Sequence, residues 1–191
     1  MVGKGRAQFE ANLERSGRDG ALLRFGVADV LELRLETEGR RRVENDLALG
    51  IKWHSQDRDP AADIPAVSWI LHFDTPTGAS LRTVATWDLP YELALGLMPG
   101  VKLDAAPDGH RFAAGSFAAA LNRRWSESLR TFVEAAIPQI ASGRDGGIVA
   151  SWSIGAAYLL TNDWQLGVRA ATAATRGAPT GQLLFELAGR Y

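Results

Sequence analysis

The sequence predicts an all-β fold, an antiparallel up-and-down transmembrane β-barrel of about 12 strands that forms a single domain over residues 1–191. Apolar residues recur at every second position in twelve segments, which is the period of a strand with two different faces. Short breaks rich in Gly, Pro, Asn, Asp and Ser separate these segments, and such breaks favour hairpins between neighbouring strands. No stretch approaches the roughly 20 consecutive apolar residues that a membrane-spanning helix needs.

The clearest pair of strands lies near the C-terminus. From Ile148 to Leu160 every second residue is apolar, and the same pattern resumes from Trp164 to Ala170. Asn162 and Asp163 between the two runs are typical of a tight hairpin turn. This stretch therefore predicts two antiparallel neighbours.

Ten further segments show the same alternation. In chain order they cover residues 7–13, 23–27, 31–35, 47–53, 67–73, 83–89, 91–97, 117–121, 129–137 and 183–191. Residues 112–141 are rich in Ala, Leu and Glu, so helix propensity alone would also allow a helix there. We predict two strands in that region because the neighbouring segments are clearly strands and "WSES" lies where a turn is due. Residues 1–6 are predicted to form a disordered N-terminal tail.

The two faces of these strands differ in chemistry, and three observations favour an apolar face that points outwards into lipid. Twelve strands enclose a lumen too wide for one ring of apolar side chains to fill. The other face mixes small residues with ionisable groups of both signs, which suits a water-filled interior. If the first strand runs up from the periplasm, aromatic residues cluster at the periplasmic end, as expected at a membrane interface: Trp53, Trp87, Tyr91, Trp125, Trp164 and Tyr191.

Closure into a barrel would also leave no sheet edge, as a membrane-spanning sheet requires. Two alternatives stay open on these patterns. A β-sandwich would use the same aromatic residues to close the ends of its core, and a soluble β-barrel ligand-binding module would turn the apolar face inwards.

Composition and the first residues exclude several classes of partner and site. The formal net charge is −1, which predicts no nucleic-acid partner. The absence of cysteine removes disulfides, thiolate metal sites and cysteine nucleophiles. The first twenty residues contain no apolar segment of a secretory signal, so the chain is either intracellular or lacks its leader. The barrel prediction favours the second reading, with the protein in the bacterial outer membrane.

The last strand adds a second kind of evidence. "QLLFELAGRY" resembles the C-terminal signature of bacterial outer-membrane proteins, with apolar residues at alternate positions before a terminal aromatic residue. This resemblance implies two partners, the outer-membrane lipids and the assembly machinery that recognises the final strand.

Three further segments resemble one barrel family. They are "ALLRFGVADVLELRLE", "DLALGIKW" and "PAVSWILHFDTPTG", which contain an arginine before an aromatic-Gly pair, a Gly-x-Lys-Trp strand and a Pro-Thr-Gly turn at residues 76–78. In order and spacing they are similar to the outer-membrane family named for the meta-cleavage pathway of phenol degradation, over nearly the whole chain. The resemblance implies a transporter or channel for small hydrophobic or aromatic compounds, with no catalytic residues to carry over. The short loops here depart from a loop-built ligand gate.

No motif predicts an enzyme, a metal site or a cofactor. His54, His72 and His110 have no partner at a ligand spacing. Ser68 and His72 lie on one face of a predicted strand, but four residues at about 3.3 Å each place them about 13 Å apart. That separation is too large for a nucleophile and its base.

Ionisable residues of the polar face are the better candidates for function. A lumen that steers a solute and a plugged barrel braced by cross-strand ion pairs are both compatible with them, and Arg169 with Glu186 is the plainest predicted pair. The lumen-lining candidates are Glu10, Arg24, Arg34, Glu36, Lys52, His72, Glu92, Lys102, Arg130, Glu134, Arg169 and Glu186.

Overall fold

Twelve strands make up the structure, a computed structural model that describes residues 1–14, 18–40, 45–74, 78–105, 108–175 and 181–191. Within these ranges the helical structure is a single 3-10 turn, Gly143–Asp145, and no helix there has the length and hydropathy to cross a membrane. The strands are β1 (Ala7–Glu14), β2 (Arg18–Ala28), β3 (Leu31–Arg40), β4 (Asn45–Gln56), β5 (Ala66–Asp74), β6 (Gly78–Leu89), β7 (Leu93–Ala105), β8 (Arg111–Arg124), β9 (Leu129–Ile140), β10 (Ile148–Leu159), β11 (Trp164–Ala173) and β12 (Gln182–Arg190).

The strands close into one antiparallel barrel. Each strand pairs with its neighbours in sequence, and β1 pairs with β12 from Gln8 opposite Arg190 to Glu14 opposite Leu184. Closure gives every strand two partners, so no edge is left to pair with another chain. The predicted fold class is confirmed.

The region for which propensity alone allowed a helix is a hairpin. β8 and β9 are joined by residues 125–128, where the amide of Trp125 donates to the carbonyl of Leu129 at 2.9 Å. The hydroxyl of Ser126 accepts from the amide of Leu129 at 3.0 Å. The predicted turn at "WSES" therefore exists, and cross-strand pairing outweighs the local helix propensity.

The apolar faces of the strands point outwards. Ile154, Val101 and Phe185 expose 60%, 61% and 54% of their surface, whereas the adjacent Ser153 exposes 8%. Polar and small side chains therefore predominate on the interior face, which also buries Leu22 and Ile70. This is the reverse of the arrangement in a water-soluble barrel.

The up-and-down topology gives the barrel two rims. The terminal rim is the end where β1 begins and β12 ends, and the distal rim is the opposite end. The six predicted interface aromatics all lie at or near the terminal rim. Each is close to the end of a strand or just outside one. Trp164 and Tyr191 stack edge to face there, with ring centroids 6.0 Å apart. Their role at a membrane surface stays a prediction.

Several predicted turns include residues outside the described ranges, namely 15–17, 41–44, 75–77, 106–107 and 176–180. The turn quoted for the family resemblance includes two of these residues, Pro76 and Thr77.

Candidate functional site

The interior of the barrel carries the ionisable residues. Strand register brings inward-facing positions of neighbouring strands side by side, as in the row Arg24, Arg34, Gly50 and His72 across β2 to β5. Eleven of the twelve lumen candidates occupy inward-facing strand positions: Glu10, Arg24, Arg34, Glu36, Lys52, His72, Lys102, Arg130, Glu134, Arg169 and Glu186.

Glu92 is the exception. The alternation continues a strand through Tyr91, but Tyr91 and Glu92 have φ angles of 63° and 58°, values that end the strand in a tight turn. Glu92 consequently lies at the terminal rim, 59% exposed, and its side chain forms an ion pair with Arg124.

The buried carboxylate of Glu32, which is not among the predicted lumen-lining candidates, organises the wall of β1 to β3. Glu32 has no exposed surface, and its oxygens lie 3.9 Å from Arg24 Nε and 3.7 Å from Arg34 Nη1. Arg24 also binds Glu10 at 2.7 Å. Because an unpaired buried charge is costly, these cations are needed to keep Glu32 in place. The alternation of the sequence already indicates an inward position for Glu32, because it lies between Leu31 and Leu33 as Arg34 lies between Leu33 and Leu35.

Residues 1–6, the N-terminal segment, lie against this same wall. The amide of Val2 donates to Glu32 Oε2 at 3.0 Å, and Val2 exposes 4% of its surface. A Cβ on Gly26 would lie 2.1 Å from the carbonyl oxygen of Gly3, so only glycine at that position admits the segment. The sequence predicts a disordered tail here; the structure gives the segment defined contacts with the inner wall near the terminal rim.

His72 is part of the wall of β5. It exposes 3% of its surface, and its Nδ1 lies 2.7 Å from Arg82 Nη2. Because a guanidinium has no acceptor, Arg82 donates and Nδ1 accepts. The ring lies over Gly50, where a Cβ would approach it to 2.3 Å. Among the described residues no cluster of three or more His, Cys, Asp or Glu could hold a metal ion.

The predicted pairing of Arg169 with Glu186 is replaced by another. Arg169 Nη2 lies 2.5 Å from Glu134 Oε1, two strands away. Register explains the difference, because Arg169 is opposite Leu184 on β12 and opposite Gly155 on β10. The guanidinium crosses β10 to reach Glu134, which lies opposite Ser153. The ring of Phe132 covers Gly155, where a Cβ would approach it to 2.3 Å.

A serine, a histidine and an aspartate meet at the terminal rim, a grouping that the sequence analysis did not identify. Ser68 Oγ lies 3.2 Å from His54 Nδ1, and His54 Nε2 lies 2.8 Å from Asp57 Oδ1. The pairing register of β4 and β5 brings these residues together, because it places Ser68 opposite His54. Spacing along one strand, which separates Ser68 from His72, does not show this contact. Ser68 is 7% exposed and the Asp57 side chain 97% exposed, so the hydroxyl is covered and the carboxylate is in bulk water. The arrangement favours a braced wall over a nucleophile.

Three cavities follow one another through the interior. A cavity of about 830 Å³ at the terminal rim and one of about 520 Å³ share the lining residues Arg130, Leu159 and Gln165. The second shares Glu10 and Arg24 with a third of about 370 Å³, which extends to Asp19 and Thr37 near the distal rim. The largest cavity lies along β6 to β11 at the terminal rim, and the other two continue along β1, β2 and β12 towards the distal rim.

No family model matches this chain, and no curated protein matches it. The resemblance to the phenol meta-cleavage family therefore stays a prediction without support from a family model.

Solved structures do share its fold. The KdgM porin in complex with disordered oligogalacturonate has a TM-score of 0.70 at 8% identity, covering 97% of this chain and 98% of that one. The NanC porin has a TM-score of 0.67 at 11% identity, covering 95% and 97%. The outer membrane protein Omp33 of Acinetobacter baumannii has a TM-score of 0.57 at 12% identity, covering 97% of each chain. This chain thus has the barrel fold of outer-membrane porins.

Proposed function

We propose that this protein is a channel of the bacterial outer membrane that passes small polar solutes through its lumen. The observation that carries the proposal is the series of three cavities, each lined in part by charged residues, inside a wall whose outer surface is apolar. A wall of this kind separates lipid from water, and its interior offers a solute a hydrated route.

Contact with outer-membrane lipids is supported by the outer surface. Apolar side chains on every strand face outwards, and such a continuous surface would drive aggregation in water. The aromatic residues of the terminal rim suit the headgroup level of a bilayer. For assembly we infer recognition of β12 by the outer-membrane assembly machinery, on the resemblance of its final residues to the C-terminal signature.

Polar solutes fit the lining better than the hydrophobic or aromatic compounds that the family resemblance implies. The cavity of about 520 Å³ is lined by Glu10, Arg24, Arg130, Glu186 and Gln165 among others. An apolar solute would displace water from these groups without replacing its hydrogen bonds, whereas a polar solute replaces them.

Reconstitution of the purified protein tests the proposal. In planar bilayers we expect stepwise ion conductance, and in liposomes we expect swelling with a small sugar such as arabinose. A folded barrel without conductance or swelling would instead show a plugged structural barrel. A monodisperse monomer in buffer without detergent would show a soluble ligand-binding module.

A matched pair of variants links conductance to the lumen. Gln165 lines both larger cavities, and the next residue, Leu166, points outwards. We expect Gln165→Trp to lower the unit conductance and Leu166→Trp to leave it unchanged. Equal effects of the two variants would contradict a path through the interior.

A further inference from the structure

We propose that the cavity of about 520 Å³ selects zwitterionic solutes, those that carry an ammonium and a carboxylate together, and that Glu186 and Arg130 recognise the two charges. This inference rests on the proposed channel function and names the class of solute that the same lumen prefers. The cavity lies within the size range of small-molecule sites, and it holds a solute of one or two amino acids together with water.

Glu186 supplies the negative charge. It is half-buried on the inner face of β12 and lines the cavity. Its register neighbours are Asn12 on β1 and Gly167 on β11, and no described residue forms a hydrogen bond or ion pair with its carboxylate. A Cβ on Gly167 would lie 3.4 Å from Glu186 Oε2, so the glycine leaves that side of the carboxylate open. Arg130, Arg24 and Arg169 act on this carboxylate through space and not by contact. A half-buried carboxylate with no cation in contact is a fitting site for a solute's ammonium.

Arg130 supplies the positive charge. It lies on β9 opposite Ala157, whose small side chain allows the guanidinium to extend across β10. There its Nη2 donates to Gln165 Oε1 at 3.1 Å. That acceptor is a neutral amide, so within the described part of the chain no carboxylate contacts Arg130, and Glu186 acts on it only through space. The remaining N–H donors of the guanidinium are suited to a solute's carboxylate.

The other charges around the cavity balance each other. Its lining contains three acidic and three basic residues, Glu10, Asp163, Glu186, Arg24, Arg130 and Arg190. Glu10 and Arg24 pair at 2.7 Å, Arg190 donates to the carbonyl of Asn162 at 2.6 Å, and Asp163 is exposed at the rim.

A simple anion or cation therefore meets no net attraction, and it compensates only one of the two open charges. A zwitterion compensates both and adds no net charge to the lumen. This difference is the physical basis of the selectivity.

Four solutes of nearly equal size test the selectivity in proteoliposomes at pH 7. They are serine (zwitterion), glycerate (anion), serinol (cation) and glycerol (uncharged), each measured as influx after subtraction of protein-free liposomes. We expect serine to enter several-fold faster than glycerate and serinol. We expect Glu186→Gln and Arg130→Gln each to remove most of this advantage, and Arg144→Gln, an exposed change in the distal 3-10 turn, to preserve it.

Each result decides the question. Equal influx of serine, glycerate and serinol into wild-type vesicles would overturn the inference without any variant, even if a substitution prevented folding. Retention of the serine advantage in both Gln variants would overturn the role of the two residues. Absence of protein-dependent influx for all four solutes and for arabinose would refute the channel itself, so the two failures are distinguishable.

Discussion

Arginine substitutions on opposite faces of one strand test which face meets lipid. Ile154 is the seventh of twelve residues in β10, and its side chain is 60% exposed on the outer surface. An arginine there would place its charge near the bilayer midplane, at a cost of about 2–4 kcal/mol in the free energy of unfolding. The adjacent Ser153 faces the interior beside Glu134. Ser153→Arg should therefore not pay the free energy of placing a charge in lipid, and it should lower the free energy of unfolding only through steric crowding.

Depth along the strand provides a second comparison. Leu95 is the third residue of β7, opposite Trp87 near the terminal rim. Arginine near an interface costs about 0–1 kcal/mol, so Leu95→Arg should cost much less than Ile154→Arg. Its inward neighbour Gly96 has open space, with the nearest atom 3.9 Å from an added Cβ, and Gly96→Arg should also be mild.

Denaturant titration of the protein refolded into phospholipid vesicles measures these free energies. Ile154→Ala serves as the reference for lost packing, so that the arginine cost is taken relative to alanine. The expected order is Ile154→Arg most costly, with both Leu95→Arg and Gly96→Arg well below it. Equal costs at Ile154 and Gly96 would refute the lipid-facing orientation of the apolar residues.

Three further changes test the interior. Gly26→Ala should displace the N-terminal segment and make it sensitive to trypsin. It should also lower the unfolding free energy by about 1.5–3 kcal/mol, because the hydrogen bond from the Val2 amide to Glu32 is lost. Gly96→Ala should have neither effect, and unchanged proteolysis of the Gly26 variant would contradict the contacts of the segment with the wall. Glu32→Gln should lower the unfolding free energy by about 3–5 kcal/mol because the surrounding guanidiniums lose their counter-charge, measured in the same titration, and a neutral effect would argue against that network. A double-mutant cycle on Arg169 and Glu134 should give a coupling of about 0.2–1 kcal/mol, as for a partly exposed pair, and zero coupling would remove the ion pair.

The fold follows from the sequence because alternation is a local signal. Each strand shows its period of two within its own residues, and short turns leave little choice of partner. Even the Ala-rich region of β8 and β9 could be predicted as two strands, since the turn at Ser126 interrupts any helix. The inward placement of residues such as Arg24 and His72 comes from the same period.

Pairing between inward-facing side chains could not be predicted in the same way. The partner of Arg169 depends on the register of β9, β10 and β11, which no single strand's pattern of residues specifies. The meeting of His54 with Ser68 likewise depends on register between two strands. Alternation alone predicts Glu92 in the lumen, because the period of two does not contain the backbone angles that end the strand at Tyr91 and Glu92.

Accessibility along β11 tests the central claim most directly, that lipid lies outside the wall and water inside it. The chain has no cysteine, so single cysteines can be introduced from Gln165 to Ala170 and labelled with a nitroxide in phospholipid vesicles. Lipid-soluble oxygen should relax the labels at positions 166, 168 and 170, and a water-soluble nickel chelate should relax those at 165, 167 and 169. The opposite alternation, or equal access of both reagents along the strand, would contradict the account.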